Sequence, residues 1–471
     1  MTIWIPDLTQ FSGPRYQALA TAIETAVRQG ELAPGDRLPP QRDLAWKLGV
    51  TVGTVSRGYM LAEQKGLLSG EVGRGTYVRT AEPATSAAAL PQPRLAPLDD
   101  LRSPNLIELS RNEPTLPEFE QIMQRALQTL GARDGLGHLL SYSRMLGDPA
   151  HRAAAARWMG RTGMKISPDQ VIATAGAQQA LSIAIAGLAE PGETLLVESL
   201  TYGGIHENAR LRSARLHAVA MDFEGMLPEA LDEAAARTGA RTVLLQPTLH
   251  NPTTATMSLK RREAIVDVAR RRDLTLVEDD VYGMMMPERP LPLAVLAPER
   301  TVYISSASKC MAPGLRVGWL VAPPALIERF SDALHAIAVN NPRLNQEIVR
   351  HWIEDGTAEE MLTLLRAETR IRQDIAAEYL RGHTYRADPA SLHVYVELPA
   401  PWLPNDFTTQ ALMAGVRIAS CTSFVPDYRA NPAPWVRISL APCPNRDILR
   451  EGLGRLRGLL DRGPEKRQGV V

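Results

Sequence analysis

Lys309 ends an apolar run, Thr301 to Ile304, with Ser308 and Ser306 one and three positions before it and Arg316 seven after it, across Pro313-Gly314. A lysine at the end of a buried strand has a desolvated amine with a depressed pKa, which suits it to attack an aldehyde. Two hydroxyls and a guanidinium are what a phosphate monoester requires. The combination implies pyridoxal 5'-phosphate carried as an imine on Lys309. The competing reading is an ordinary Ser-Lys turn after a strand.

Other polar groups also stand at the ends of apolar runs. Asn251 lies in Gln246-Pro247-Thr248-Leu249-His250-Asn251-Pro252-Thr253-Thr254, and Asp279 and Tyr282 in Val277-Glu278-Asp279-Asp280-Val281-Tyr282-Gly283. In open α/β sheets, the carboxyl ends of strands are where ligands bind. Adjacent carboxylates at a buried strand end need a cation, and a protonated pyridine nitrogen would supply one. A helix cap or an internal ion pair for Asp279, and a plain pre-proline turn for Asn251, remain open. Ala175-Gly176-Ala177-Gln178-Gln179 opens a helix after Val171 to Thr174, and its amides suit a phosphate.

These groups need a scaffold. At 471 residues the chain exceeds one ordinary domain. Apolar runs beginning at Val171, Thr194, His217, Thr242, Leu274, Thr301 and Arg316 alternate with helical patterns, predicting an α/β large domain with a seven-stranded, mainly parallel sheet. After about residue 325, long helical stretches around Gln346 to Leu380 and the alternating Leu392 to Glu397 predict a smaller α+β domain. The expected division is 12–79 for a head, 80–105 for a flexible Ala/Pro-rich linker, and 106–460 for the cofactor-binding part. A net charge of +0 gives no whole-chain argument for nucleic acid or membrane. Cys310, Cys421 and Cys443 lack metal-ligand spacing and read as reduced thiols of a cytoplasmic protein. No metal site and no membrane segment are expected.

The head predicts helices over Tyr16 to Arg28, Gln41 to Leu48 and Thr51 to Lys65, then two short strands around Gly73-Arg74-Gly75. Pro-Gly-Asp-Arg-Leu-Pro, Arg-Asp-Leu-Ala, Leu-Gly-Val-Thr, Thr-Val and Gly-Arg-Gly-Thr-Tyr-Val, in that order, resemble a GntR-type winged helix-turn-helix. The resemblance implies a double-stranded DNA operator, contacted by Arg42, Thr51, Thr54, Arg57 and Arg74. Val52 departs from the arginine often found there. Nine basic against seven acidic residues over 1–80 give the head a net of only +2, so strong nonspecific binding is not implied.

The remainder resembles fold-type-I pyridoxal-phosphate aminotransferases in its ordered motifs: Tyr142 with Gly147, Ala-Gly-Ala-Gln-Gln, Thr201-Tyr202-Gly203, His-Asn-Pro-Thr, Asp-Asp-Val-Tyr, Ser-Ala-Ser-Lys with Arg316, and Arg437. The resemblance implies that Lys309 bonds the cofactor and Asp279 pairs with its ring nitrogen. Asn251 and Tyr282 would reach the phenolic oxygen, and Tyr202 would stack on the ring. Ala177, Gln178, Ser306, Ser308 and Arg316 would hold the phosphate, with Tyr142 reaching the phosphate of a partner subunit in a homodimer. Arg437 would clamp a ligand carboxylate. Asn112, in Ser110-Arg111-Asn112-Glu113-Pro114, would be a ligand contact near the carboxylate, where the enzymes usually have glycine, and Thr254 stands where many of them have glycine.

The two parts together resemble the MocR family of transcription regulators. That resemblance implies a regulator sensing an amino acid or amine by exchange at Lys309. A working aminotransferase with an accessory head is the alternative.

Overall fold

The glycine and proline punctuation of the first eighty residues becomes three helices and a hairpin: α1 (Arg15–Gln29), α2 (Gln41–Leu48), α3 (Val52–Gln64), β1 (Leu68–Glu71) and β2 (Gly75–Val78). The computed structural model describes residues 4–8, 11, 14–33, 35–64, 67–71, 75–78, 106–426 and 433–463. The expected linker, 80–105, and Arg74 lie outside them. The chain divides into two units, Met1–Gln92 and Pro93–Val471.

In the head, left-handed Gly30 and Gly49 end α1 and α2. Thr51 caps α3, its Oγ1 accepting from the Thr54 amide at 3.2 Å. Gly58 lets α3 approach α1; a Cβ there would lie 2.7 Å from Leu19 Cδ2. The buried Tyr59 hydroxyl donates to Pro39 O at 2.8 Å, tying α3 to the segment before α2.

The second unit opens with β3 (Ile107–Glu108), α4 (Phe119–Gly131), α5 (Pro149–Gly160), β4 (Val171–Thr174), α6 (Ala177–Leu188), β5 (Thr194–Glu198), α7 (Gly203–Leu211) and β6 (Arg215–Val219). A hairpin follows, β7 (Met221–Asp222) and β8 (Gly225–Met226). Then come α8 (Pro228–Thr238), β9 (Thr242–Leu245), α9 (Leu259–Arg271), β10 (Thr275–Asp279), α10 (Leu293–Leu296), β11 (Thr301–Ser306) and β12 (Gly318–Val321). The seven long strands form one sheet in the order β4-β12-β11-β10-β9-β5-β6. Only β12 runs antiparallel to its neighbours. Its side chains alternate between the two faces: Trp319 and Val321 join one core cluster and Leu320 another.

The rest comprises α11 (Pro324–Ile337), α12 (Arg343–Asp355), α13 (Thr357–Tyr379), β13 (Tyr385–Arg386), β14 (His393–Glu397), α14 (Pro404–Met413), β15 (Val416–Arg417), β16 (Ala419–Ser420), β17 (Trp435–Ser439) and α15 (Arg446–Arg462). The helical stretches expected around Gln346 to Leu380 are two helices, separated by Gly356 at φ 89°. A four-stranded sheet, β13-β14-β17-β16, packs against α13 and α14. β3 pairs in parallel with β15 in a two-stranded sheet of their own, so the chain's entry into this unit lies against a strand from beyond residue 325. Among the described residues, no helix is long and apolar enough to cross a membrane.

Candidate cofactor site and nucleic-acid interface

Lys309 follows β11 at the carboxyl edge of the large sheet, between buried Ser308 and Cys310. Burial, reinforced by the fields of Arg437 and Arg316, lowers its amine to about 8. Nζ donates to the Asn112 carbonyl oxygen.

The acidic run at the end of β10 divides its cations unequally. Glu278 accepts from the Leu293 and Ala294 amides at 3.1 and 2.9 Å and lies 3.7 Å from Arg262. Asp280 pairs with Arg289 and accepts from the Tyr303 hydroxyl at 2.5 Å. Asp279 has no cationic partner among the described residues, only the Val281 amide at 3.4 Å. Burial raises its carboxyl to about 7. The expected need for a cation therefore rests on Asp279 alone, since the chain itself supplies one to Asp280. Gly283 keeps this corner tight, since a Cβ there would overlap the Asp280–Arg289 pair.

Asn251 sits in the loop after β9. The wholly buried Arg262 holds that loop, donating to Met257 O at 3.1 Å, Pro247 O at 2.9 Å and Thr248 Oγ1 at 2.8 Å. Thr254 has φ 62°, a left-handed conformation that explains why glycine suits this position. Asn251 Oδ1 accepts from Arg437 Nη1 at 2.7 Å. Arg437 also donates to Ser110 O and lies over the Phe424 ring. Its Nε is buried without a partner, and it forms no ion pair among the described residues.

Tyr282 is buried, which raises its hydroxyl to about 12. Its oxygen lies 2.8 Å from Asn112 Nδ2, which also lies 2.9 Å from His393 Nδ1. Asn112, expected only as a ligand contact, thus spans two side chains of the site. Burial holds His393 well below the usual histidine range, so its neutral Nδ1 can accept. Sequence reasoning passed over His393. The signal was its phase: in Leu392 to Glu397 it shares a face with Tyr395, opposite Arg437 on β17.

Gly176 precedes α6 at φ 88°, with no side chain capping the helix. A Cβ there would meet Arg316 Nη2 at 2.6 Å, so glycine admits the guanidinium to the first amides, those of Ala177 and Gln178. Arg316 is exposed and, among the described residues, contacts only the carbonyls of Pro313 and Ala175, both at 3.5 Å. Ser306 and Ser308 are buried beside Lys309. Tyr202 leads α7 with 37 % of its surface open. Tyr142 does not join the cluster in this chain; it is 82 % exposed, beside the equally bare Leu140. Cys310, Cys421 and Cys443 are free and buried.

Among the described residues, a helix start without a side-chain cap, a guanidinium without a carboxylate and a buried carboxylate without an ion-pair partner fit a phosphorylated pyridinium. When bound, pyridoxal phosphate supplies an aldehyde for covalent exchange and an electron-withdrawing ring.

In the head, Arg42, Thr51 and Arg57 are exposed and Thr54 is half-buried. The Thr51 and Thr54 hydroxyls lie 2.9 Å apart, so each partly satisfies the other.

Residues 104–456 match the family "Aminotransferase class I and II", and residues 15–78 match "Bacterial regulatory proteins, gntR family". The chain belongs to the class I and II aminotransferase family. It carries a GntR-family DNA-binding head, the fusion that the resemblance to MocR regulators implied, and its cofactor is pyridoxal phosphate. It is 30% identical over 459 residues to the uncharacterised HTH-type transcriptional regulator YdeF of Bacillus subtilis, covering 97% of both chains. It is also 30% identical over 331 residues to the 2-aminoadipate transaminase of Thermus thermophilus, covering 67% of this chain and 80% of that one. Among solved structures it resembles LysN, the α-aminoadipate aminotransferase of Thermus thermophilus, in complex with N-(5'-phosphopyridoxyl)-L-leucine. The TM-score is 0.68 at 27% identity, over 76% of this chain and 92% of LysN.

Proposed function

We propose that this chain is a pyridoxal-phosphate-dependent transcription regulator that senses an amino acid or amine at Lys309 and binds a double-stranded operator through its head. The observation that carries the ligand half is Arg437. It is a buried guanidinium with no carboxylate partner among the described residues, in the same cleft as an amine lowered to about 8. Such a pair suits a molecule with an amine to exchange at Lys309 Nζ and a carboxylate for the Arg437 fork.

In this reading Asp279 holds the ring nitrogen, and Asn251 and Tyr282 hold the phenolic oxygen. Asn112 donates to Tyr282, leaving the tyrosine's own proton free to face the cofactor. Tyr202 covers the ring. The α6 amides of Ala177 and Gln178, with Ser306, Ser308 and Arg316, bind the phosphate. Tyr142 serves the partner's site in a cytoplasmic homodimer, in keeping with the exposed apolar run Leu140, Tyr142 and Met145. Arg42, Thr51, Thr54, Arg57 and Arg74 are the DNA contacts, and a ligand that favours one arrangement of the dimer shifts operator affinity.

A second reading is favoured by the completeness of the residues around Lys309: an active aminotransferase with an accessory head. One experiment separates them. Holoprotein is titrated with amino acids, with and without 2-oxoglutarate, while cofactor absorbance and operator binding are followed. The regulator reading expects a saturable spectral change that alters DNA binding, with slow or absent turnover. Rapid multiple turnover with DNA binding indifferent to both compounds would overturn it.

A further inference from the structure

Asn112 Nδ2 meets two acceptors at once, the Tyr282 hydroxyl oxygen at 2.8 Å and His393 Nδ1 at 2.9 Å. An amide nitrogen carries two hydrogens, so both are spent on these contacts. Turned over, the same side chain would present Oδ1, and Tyr282 would have to donate to it. The orientation of one amide thus decides where the single proton of the tyrosine points, and His393 decides the orientation.

A neutral imidazole carries a proton on one nitrogen and a lone pair on the other. His393 is neutral, because burial and then the field of Arg437 hold it well below the usual histidine range. No hydrogen bond reaches Nε2 among the described residues, but the carbonyls of His250 and Pro252 approach the ring and favour a proton on it. With Nδ1 turned to Asn112, that proton belongs on Nε2 and the lone pair on Nδ1. The Ser391 hydroxyl does not compete: its Oγ lies 3.4 Å from Nδ1 and donates to His393 O at 2.9 Å. Gln373 Nε2 donates to the same carbonyl at 3.1 Å, which fixes the residue on β14. Arg437 lies near both rings, Asp279 and Tyr202 near Tyr282, and His250 near His393. Among the described residues, none of these four bonds the Tyr282 hydroxyl or His393 Nδ1.

We propose that His393 is a positioning residue: its Nδ1 lone pair orients the Asn112 amide, and that amide frees the Tyr282 proton for the phenolic oxygen of the cofactor. This rests on the reading of Tyr282 given above and extends it by one side chain. A proton donated there stabilises negative charge on the phenolic oxygen, so the cofactor loses its own proton at a lower pH.

The test titrates full-length holoprotein with acid and base, following the midpoint of the change in cofactor absorbance. His393→Leu removes the lone pair. His393→Asn returns one, since an amide oxygen stands two bonds from Cβ, as Nδ1 does. The midpoint should rise by about one unit or more in His393→Leu, the scale of a hydrogen bond to a charged group. In His393→Asn it should return most of the way. Tyr282→Phe sets the upper limit of the shift. If Tyr282→Phe is shifted and His393→Leu is not, the proposal is overturned and the reading of Tyr282 stands. Equal shifts in the leucine and asparagine variants also overturn it, since packing alone would then account for them. An unshifted Tyr282→Phe overturns the reading of Tyr282 and this one with it. Nitrogen-15 spectra of histidine-labelled, unaltered holoprotein, with the His393 signal assigned by its loss in His393→Asn, should show the proton on Nε2. A proton on Nδ1 overturns the proposal even where His393→Leu does not fold.

Discussion

Arg437 Nη1 donates to Asn251 Oδ1 at 2.7 Å, joining the smaller sheet to the loop after β9. A carboxylate arriving at Arg437 meets a guanidinium already oriented by that amide and by Ser110 O. Arg437→Ala should raise the concentration of amino acid needed for half-saturation by about ten- to a hundredfold, the range of a charge-assisted hydrogen bond. The cofactor should stay attached. Titration followed by absorbance checks both.

Lys309→Ala should abolish borohydride-stable attachment of pyridoxal phosphate, read as loss of the corresponding mass increment. Full-stoichiometry labelling of the variant would assign the attachment elsewhere.

The pH dependence of cofactor capture follows from the same lysine. The attacking species is the neutral amine, and burial lowers Lys309 from 10.5 to about 8. Capture by apoprotein should therefore slow about tenfold per unit as pH falls below 8 and level off above it. Stopped-flow absorbance measures this. A rate still climbing past pH 10 would mean an ordinary, solvated lysine.

Asn112→Ala removes a side chain that meets both the Tyr282 hydroxyl and His393 Nδ1. Two buried polar groups lose a partner, at a cost of about 1–3 kcal/mol. Denaturant unfolding of the apoprotein should show that loss, with the slope unchanged.

Arg57→Ala, on the exposed face of α3, should weaken operator binding by about 1–3 kcal/mol if the arginine reads a base edge. Cofactor absorbance should not change. A mobility shift alongside a spectrum reports both.

The buried strands and the polar groups at their ends were legible because each signal is local. An apolar run such as Thr301 to Ile304 marks a strand, and a lysine two turns of the pleat later marks its edge. The winged head was legible for the same reason, through glycines at the ends of α1 and α2. Other features come from distant parts of the chain. Whether Asp279 or Asp280 lacks a cation depends on Arg289, which reaches back across a turn. The place of His393 beside Asn112 appears only once β14 and β17 are in register.

The pairing of β3 with β15 has a mechanical consequence. Residues 107–110 are held from two directions: Ile107 and Glu108 lie along β15, and the Ser439 amide donates to Leu109 O at 2.8 Å. Ser110 O is the oxygen that Arg437 grips. The first residues of this unit are thus fastened to β17, the strand that carries Arg437. Any displacement of β17 carries residues 107–110 with it.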